Sequence, residues 1–177
     1  MSNKPHIANN SGNNEWYTPE DLIFSARKVF GGTIDLDPAS SEIANKVVRA
    51  TVFYTKDNDG LDDDKLWLGN TWMNPPYSSK LIKRFCEKLV TAYVTCGVTS
   101  FITLTNNATE TAWFRNLYDV ADYYCFLNKR VRFIDPSGKA SAKPLQGQVI
   151  CYAGNNGKAF VNEFTKHGLI MKRQGVI

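Results

Sequence analysis

The chain has 177 residues, of which 43% are hydrophobic and 21% charged, a size and composition typical of one globular domain with a sizeable core. No apolar run approaches the roughly 18 residues that a membrane span needs. The polar, Asn-rich residues 1–14 have the features of neither a signal peptide nor a transit peptide. We therefore expect a flexible lead over residues 1–14, one domain over residues 15–177, and a cytoplasmic protein.

Charge is unevenly distributed between the two halves of the chain. Residues 1–79 carry 7 Lys and Arg against 11 Asp and Glu, and residues 80–177 carry 14 against 6, so the net charges are −4 and +8. This asymmetry indicates that the second half binds a polyanion. A surface that merely keeps the protein soluble is the alternative.

Metal chemistry is not indicated by the cysteines, which are Cys86, Cys96, Cys125 and Cys151. No pair has the short C-x₂₋₄-C spacing of a zinc site, and the chain has only two histidines. We predict buried free thiols and no bound metal.

Hydrophobic periodicity predicts alternating helices and strands. The predicted helices cover residues 19–30, with Thr18 as N-cap, a segment from Ser40 or Ser41 towards Arg49, and residues 79–94, 110–118 and 157–167. The predicted strands cover residues 33–36, 50–54, 71–73, 98–104, 121–127 and 148–153. This alternation predicts an α/β fold with a mainly parallel sheet, which would bind ligands at the carboxyl ends of its strands.

The tetrapeptide Asn74-Pro75-Pro76-Tyr77 follows one of these strands, and an Asn/Asp/Ser-Pro-Pro-aromatic sequence is expected by chance in about 1% of chains this long. An exocyclic amine is a poor nucleophile because its lone pair is delocalised into the ring. The Asn74 side-chain carbonyl and the Pro75 backbone carbonyl would hold its two N–H bonds, on a backbone fixed by Pro75 and Pro76. Tyr77 would offer an aromatic face to a base. The alternative is a rigid turn with Tyr77 packed in the core.

Two carboxylates, Asp35 and Asp37, end the first predicted strand. Residues at i and i+2 point to the same side of a strand, so the two would repel unless a cation or hydrogen-bond donors lie nearby. S-adenosylmethionine has both, in its ammonium group and its ribose hydroxyls. In the acidic loop that follows, Asp59 is a candidate partner for the adenine amine of this cofactor, whereas the other carboxylates are typical of a solvated surface.

The order of four motifs resembles that of the small phage-type Dam DNA adenine methyltransferases. The motifs are Trp16–Pro19, Asp35–Ser40, Asp59–Leu61 and Asn74–Tyr77, and the match continues through Trp113–Arg115 and Arg130–Phe133, covering about residues 14–155. The resemblance implies a Rossmann-like S-adenosylmethionine-dependent methyltransferase fold, mostly parallel with helices on both faces. It also implies DNA adenine N6 as substrate, and a phage protein made in a bacterial host or encoded by a prophage.

The resemblance also implies which residues contact the cofactor. They are Trp16, Tyr17, Thr18, Pro19, Asp35, Asp37, Pro38, Asp59 and Leu61. Larger methyltransferases carry a Gly-rich loop after the first strand, where this chain has Asp37-Pro38-Ala39-Ser40.

No separate target-recognition domain is evident, and the segment over residues 129–145 is the best substitute. We expect phosphate contacts from its basic residues and from three more at the start of the second half of the chain: Lys129, Arg130, Arg132, Lys139 and Lys143, with Lys80, Lys83 and Arg84. The target adenine would flip out of the duplex, since its N6 is otherwise out of reach.

Other activities also fit this sequence. Methylation of cytosine N4, of RNA adenine or of a protein glutamine uses similar chemistry, although Asn rather than Ser before Pro-Pro favours adenine over cytosine. A DNA-binding module that has lost catalysis is the alternative from another class, and the intact Asn74–Tyr77 motif speaks against it.

Overall fold

The computed structural model describes residues 16–135, 137–140 and 146–174. The flexible lead predicted over residues 1–14 and the predicted DNA contact Lys143 lie outside these ranges. Within them the helices are α1 (Glu20–Val29), α2 (Glu42–Val48), α3 (Ser79–Val94), α4 (Ala112–Val120) and α5 (Gly157–Phe164). The strands are β1 (Ile34–Asp37), β2 (Ala50–Phe53), β3 (Gly69–Met73), β4 (Val98–Asn106), β5 (Tyr123–Leu127), β6 (Gln148–Ala153) and β7 (Gly168–Lys172).

The seven strands form one mixed sheet in the order β2-β1-β3-β4-β6-β5-β7. Strands β2, β1, β3 and β4 are mutually parallel, whereas β6 is antiparallel to both β4 and β5, and β7 is antiparallel to β5. Five strands therefore run one way and two the other. The prediction of parallel pairing is therefore correct for β1 to β4, whereas β5, β6 and β7 pair in antiparallel fashion.

Helices cover both faces of this sheet. Leu22 and Ile23 of α1 pack with Phe160 of α5 in one buried cluster, and α3 and α4 contribute to a second cluster. Adjacent strand residues divide between the clusters, since Trp72 belongs to the first and Met73 to the second. This alternation follows from the strand period of two. The functional loops follow the ends of the strands, between the two helical layers.

Three details differ from the sequence-based predictions. Pro19, not Thr18, is the N-cap of α1, because Thr18 is still part of the extended segment that enters the helix. The predicted closing helix ends at Phe164, and Gly168–Lys172 then pairs with β5 as an edge strand. Cys96 is exposed, unlike the other three cysteines, because it lies in the turn between α3 and β4.

The strand order reverses direction at β1. From β1 the chain passes through α2 to β2 on one side, and then crosses to β3 on the other side of β1. The loops after β1 and β3 therefore leave the sheet in opposite directions and open a crevice between them.

Candidate active site

A cavity of about 670 Å³ occupies the carboxyl ends of β1 and β3, within the range of roughly 300–1,000 Å³ typical of small-molecule sites. Its wall combines the N-terminal segment Trp16–Thr18, the loop and helix start Asp37–Ala44, and residues Tyr54–Asp57, Asp59 and Gly60. Trp72, Asn74 and Pro76 complete it, together with Leu81 and Phe85 of α3. The motifs separated in sequence thus meet in one site.

The loop after β1 is held in place by backbone hydrogen bonds. The Asp37 carbonyl accepts the N–H of Tyr54 at 3.0 Å, and the Ser40 N–H donates to the Tyr54 carbonyl at 2.8 Å. Ser41 then caps α2 by accepting the N–H of Ala44 at 3.1 Å, as the prediction of a Ser40 or Ser41 cap anticipated. The loop therefore has a fixed path along the cavity.

Asp37 is a buried carboxyl on the cavity wall, with only 3% of its surface exposed. Burial raises its pKa to about 7, although the Ala39 N–H, which donates to its Oδ1 at 3.2 Å, favours the charged form. A positive group placed in the cavity would stabilise the carboxylate further.

The Asp35 side chain lies outside the cavity wall, although the sequence predicted that it would lie beside that of Asp37. Its Oδ2 accepts the N–H of Asn70 at 2.7 Å, and a Cβ atom added at Gly69 would collide with the same carboxylate. Two residues of a strand span about 6.6 Å, so only Asp37, at the end of β1, reaches the cavity. Asp35 instead connects β1 to the start of β3.

The segment Asp59–Leu61 packs tightly against the loop after β1. The Asp59 Oδ1 accepts the N–H of Leu61 at 2.9 Å, and the Trp67 indole donates to the Gly60 carbonyl at 2.9 Å. A Cβ atom at Gly60 would collide with the carbonyl oxygen of Pro38. Asp59 and Pro38 lie on the cavity wall, whereas Leu61 is buried in the core behind it.

Both ends of the Asn74 amide are hydrogen-bonded. Its Nδ2 donates to the Trp16 carbonyl at 3.2 Å, and its Oδ1 accepts from the Tyr77 hydroxyl at 3.0 Å. The same hydroxyl lies 3.3 Å from the Leu104 carbonyl. Asn74 and Pro76 line the cavity, while Pro75 is buried.

Tyr77 packs behind Asn74, outside the cavity wall. Its ring meets that of Phe133 edge-on, with centroids 6.0 Å apart, and burial raises the pKa of its hydroxyl far above the usual value. The ring of Tyr77 therefore packs against Phe133, and stacking of a base on this ring stays a prediction.

The N-terminal segment reaches the cavity through a two-residue β-bridge. The Tyr17 N–H donates to the Ile134 carbonyl at 2.8 Å, and the Ile134 N–H donates to the Tyr17 carbonyl at 2.9 Å. Thr18 is buried on the cavity wall, and Pro19 caps α1 beyond it. Sequence reasoning gave Phe133 and Ile134 no role at the site, although the alternation of basic and apolar residues from Arg130 to Phe133 is a signal of extended backbone.

We call residues 129–135 and 137–140 the basic segment. Lys129, Arg130, Arg132 and Lys139 are exposed. The backbone of the segment is fixed at two points: the Val131 N–H donates to the buried Gln148 side chain at 3.0 Å, and Asp135 accepts from the N–H groups of Ser137 and Lys139. The Ser137 hydroxyl and the Lys139 N–H hold the pKa of Asp135 below its usual range.

The other predicted phosphate contacts lie on α3. Lys80, Lys83 and Arg84 are exposed on its first turns, and Leu81 and Phe85 of the same turns line the cavity. Tyr77 lies just before α3 and its ring contacts Phe133, so both groups of basic residues belong to segments that adjoin the Asn74–Tyr77 motif.

Sequence reasoning also missed part of the cavity wall. Glu42, Lys56 and Asp57 line it, and their position just after β1 and β2 is the signal that could have identified them. Among residues 16–135, 137–140 and 146–174, every helix is too short or too polar to serve as a membrane span. In the same part of the chain, no three His, Cys, Asp or Glu residues are grouped as a metal site would require.

Comparison with known proteins agrees with the geometry. The family model described as DNA N-6-adenine-methyltransferase (Dam) matches residues 6–165. No curated protein is similar enough to count as a match. Since the model spans most of the 177 residues, the chain belongs to the Dam family of DNA adenine methyltransferases.

Proposed function

We propose that the protein transfers a methyl group from S-adenosylmethionine to the N6 amine of an adenine flipped out of double-stranded DNA. The observation that carries this proposal is that Asn74 and Asp37 line the same cavity. A hydrogen-bond acceptor suited to an amine and a buried carboxyl suited to a cation are thereby combined in one site. The reversal of strand order at β1 supports assigning the sheet to the Rossmann-like methyltransferase fold.

The residues on the wall fit this cofactor chemically. Asp37 is the buried carboxyl that an ammonium group would stabilise in its charged form. Asp59 would accept from an adenine amine, and Trp16, Tyr17, Thr18 and Pro38, which also line the cavity, would contact the cofactor. When bound, the cofactor supplies an activated methyl group on a sulfonium. Asp35, Pro19 and Leu61 would act by supporting this wall, since each makes its contacts outside it.

Asn74 and Pro75 would orient the target amine. The Asn74 Oδ1 has two lone pairs, and the Tyr77 hydroxyl occupies one of them. The second lone pair and the Pro75 carbonyl would accept the two N–H bonds of the amine and favour a tetrahedral nitrogen. The protein contributes mainly position and direction, as expected where the methyl donor is already activated.

Exposed cations on two segments that adjoin the Asn74–Tyr77 motif support duplex DNA as the substrate. The basic segment and the first turns of α3 would contact phosphates while the adenine leaves the stack. Such contacts fix the position of the duplex and carry little sequence information, so site specificity would come from neighbouring loop residues that reach the base edges.

The decisive experiment incubates the protein with labelled S-adenosylmethionine and plasmid DNA, followed by mass spectrometry of the digested nucleosides. We expect N6-methyladenine in DNA and no product in parallel incubations with RNA or protein. N4-methylcytosine, or product in the RNA or protein incubation only, would replace the proposed substrate. DNA binding without any heat of cofactor binding in calorimetry would identify an inactive relative.

A further inference from the structure

The Asn74 amide has two chemically different ends, and only its oxygen can accept from a target amine. In the observed orientation Nδ2 donates to the Trp16 carbonyl at 3.2 Å. A reversed amide would place Oδ1 against that carbonyl, and two acceptors would face each other without a proton between them. The Tyr77 hydroxyl tolerates either end, because it can donate to Oδ1 or accept from Nδ2 while donating to Leu104. The Trp16 carbonyl therefore determines that Nδ2 of the amide faces Trp16 and that Oδ1 is on the other side, where Tyr77 donates to it.

The direction of the Trp16 carbonyl is itself fixed by the bridge to Ile134. The carbonyl of Trp16 and the N–H of Tyr17 belong to one planar trans peptide group, so they point in opposite directions. Because the Tyr17 N–H donates to Ile134 at 2.8 Å, the Trp16 carbonyl must point away from Ile134, and there it meets Asn74. The returning bond from the Ile134 N–H, at 2.9 Å, prevents the segment from pivoting.

We propose that the Tyr17–Ile134 backbone bridge is a positioning device that orients the Asn74 amide through the Trp16 carbonyl. The inference rests on the proposed function, since it assigns Asn74 the task of accepting the amine. Ile134 belongs to the basic segment, so the surface expected to contact phosphates is joined to the reaction centre by main-chain hydrogen bonds. In these terms Trp16 and Ile134 are positioning residues that act through Asn74.

The substitution Asn74→Asp tests the contact to Trp16 directly. An ionised carboxylate has no donor for the Trp16 carbonyl, so two acceptors face each other, whereas a protonated carboxyl restores the donor. We expect the rate of the variant, divided by that of the parent, to fall by up to about tenfold per pH unit above the pKa of the new carboxyl. The measurement is single-turnover methyl transfer between about pH 5.5 and 8.5, with saturating cofactor and DNA.

Dividing the rate of the variant by that of the parent at each pH cancels the pH dependence that other titratable groups near the site give to both proteins. The titratable groups that line the cavity or touch Asn74 are Asp37, Glu42, Lys56, Asp57, Asp59, Tyr17, Tyr54 and Tyr77. The matched control is Asn74→Ala, which cannot titrate and should show a low ratio that is flat with pH. A flat ratio for the Asp variant as well would overturn the inference. Absence of N6-methyladenine with the parent protein would instead overturn the proposed function.

A second pair of variants tests the bridge. Ile134→Pro removes the N–H that donates to Tyr17, whereas Ile134→Val keeps it with a similar side chain. We expect kcat to fall by about tenfold or more in the Pro variant and to stay within about twofold in the Val variant, with similar cofactor affinity in both. Equal kcat values would show that the bridge does not position Asn74. If the Pro variant fails to bind cofactor, the pH series with Asn74→Asp decides.

Discussion

The cavity and the basic segment are neighbours, yet they hold their polar groups in opposite ways. In the cavity the functional groups themselves are fixed: Asp37 is buried, and the Asn74 amide is hydrogen-bonded at both ends. In the basic segment the backbone is fixed, through Val131 and Asp135, and the Lys and Arg residues are exposed.

This difference indicates how each region contributes to function. A buried group contributes through direction and a low local dielectric, so the loss of a single atom pair has a large and specific effect. Exposed cations contribute a field that is shared among several residues and screened by salt. A single substitution in the cavity should therefore have a large effect on one step, either cofactor binding or methyl transfer. Substitutions in the basic segment should each weaken DNA binding a little, and their effects should accumulate.

The largest effect is expected from Asn74→Ala. Losing one preorganised hydrogen bond of this kind lowers the rate by roughly 10²–10³, while cofactor affinity should stay within about twofold. The measurement is single-turnover methyl transfer alongside calorimetry with S-adenosylmethionine. A matched control is Asn155→Ala, because Asn155 is exposed in the loop after β6, at the end of the sheet opposite the cavity. A variant within about threefold of the parent rate would contradict the role of Asn74.

A second contrast separates Asp37 from Asp35. Asp37→Ala should raise the dissociation constant of S-adenosylmethionine by about tenfold or more, because it removes the buried carboxyl from the wall. Asp35→Ala should leave that constant nearly unchanged and lower the free energy of unfolding by about 1–3 kcal/mol, because it leaves the Asn70 N–H without its acceptor. Calorimetry and thermal unfolding measure the two quantities. Equal loss of cofactor affinity in both variants would restore the paired-carboxylate site expected from the sequence.

The raised pKa of Asp37 predicts a pH dependence of cofactor binding. The carboxyl of the free protein is neutral below pH about 7 and charged above it, and the cofactor ammonium favours the charged form. The dissociation constant should thus fall as pH rises from about 6 to 8, by up to about tenfold per unit below the pKa. In Asp37→Asn it should vary little, and a parallel pH trend in both proteins would assign it to another group.

The empty protein should show the opposite trend in stability. The folded state binds a proton at Asp37 more tightly than the unfolded state does, because the pKa is raised from 3.8 to about 7. The contribution of this carboxyl to the free energy of unfolding is therefore fully present below the unfolded pKa and is lost as pH rises towards the folded pKa. Denaturant titrations of the parent and Asp37→Asn without cofactor would measure this difference.

Most of the fold was predictable because local periodicity and burial agree. The apolar spacing of α3 predicted residues 79–94, which are the bounds observed, and β6 was likewise predicted at residues 148–153. Strand β7 was not predicted, because an edge strand with Leu169 and Met171 exposed shows no alternation of polar and apolar residues. Its structure depends on pairing with β5, which is distant in sequence.

The site was predictable to the level of its loops, and less so to the level of its atoms. That the loops after β1 and β3 meet follows from parallel strands, and Asp37 and Asn74 do share a cavity. Which of two carboxylates reaches it depends on the residue at which β1 ends. The bridge between Tyr17 and Ile134 joins residues far apart in the chain, and no local pattern specifies such a pair.

The smallest effect per residue is expected in the basic segment, where three substitutions are needed together. Each phosphate contact contributes about 0.9 to the slope of log affinity against log salt concentration. Changing Arg130, Arg132 and Lys139 to Ala should therefore flatten the slope by up to about 2.7 and weaken binding to all DNA sequences alike. The matched control changes Lys28, Lys46 and Lys158 to Ala, which removes the same charge from exposed positions on α1, α2 and α5. Its slope should change little, since general attraction of a positive protein to DNA is screened beyond about 10 Å at moderate salt. Weaker binding at the preferred site alone would mean that the basic segment contacts base edges. Equal slopes in both triple variants, with cofactor binding intact, would place the phosphate contacts elsewhere, and the first turns of α3 would be the next surface to test.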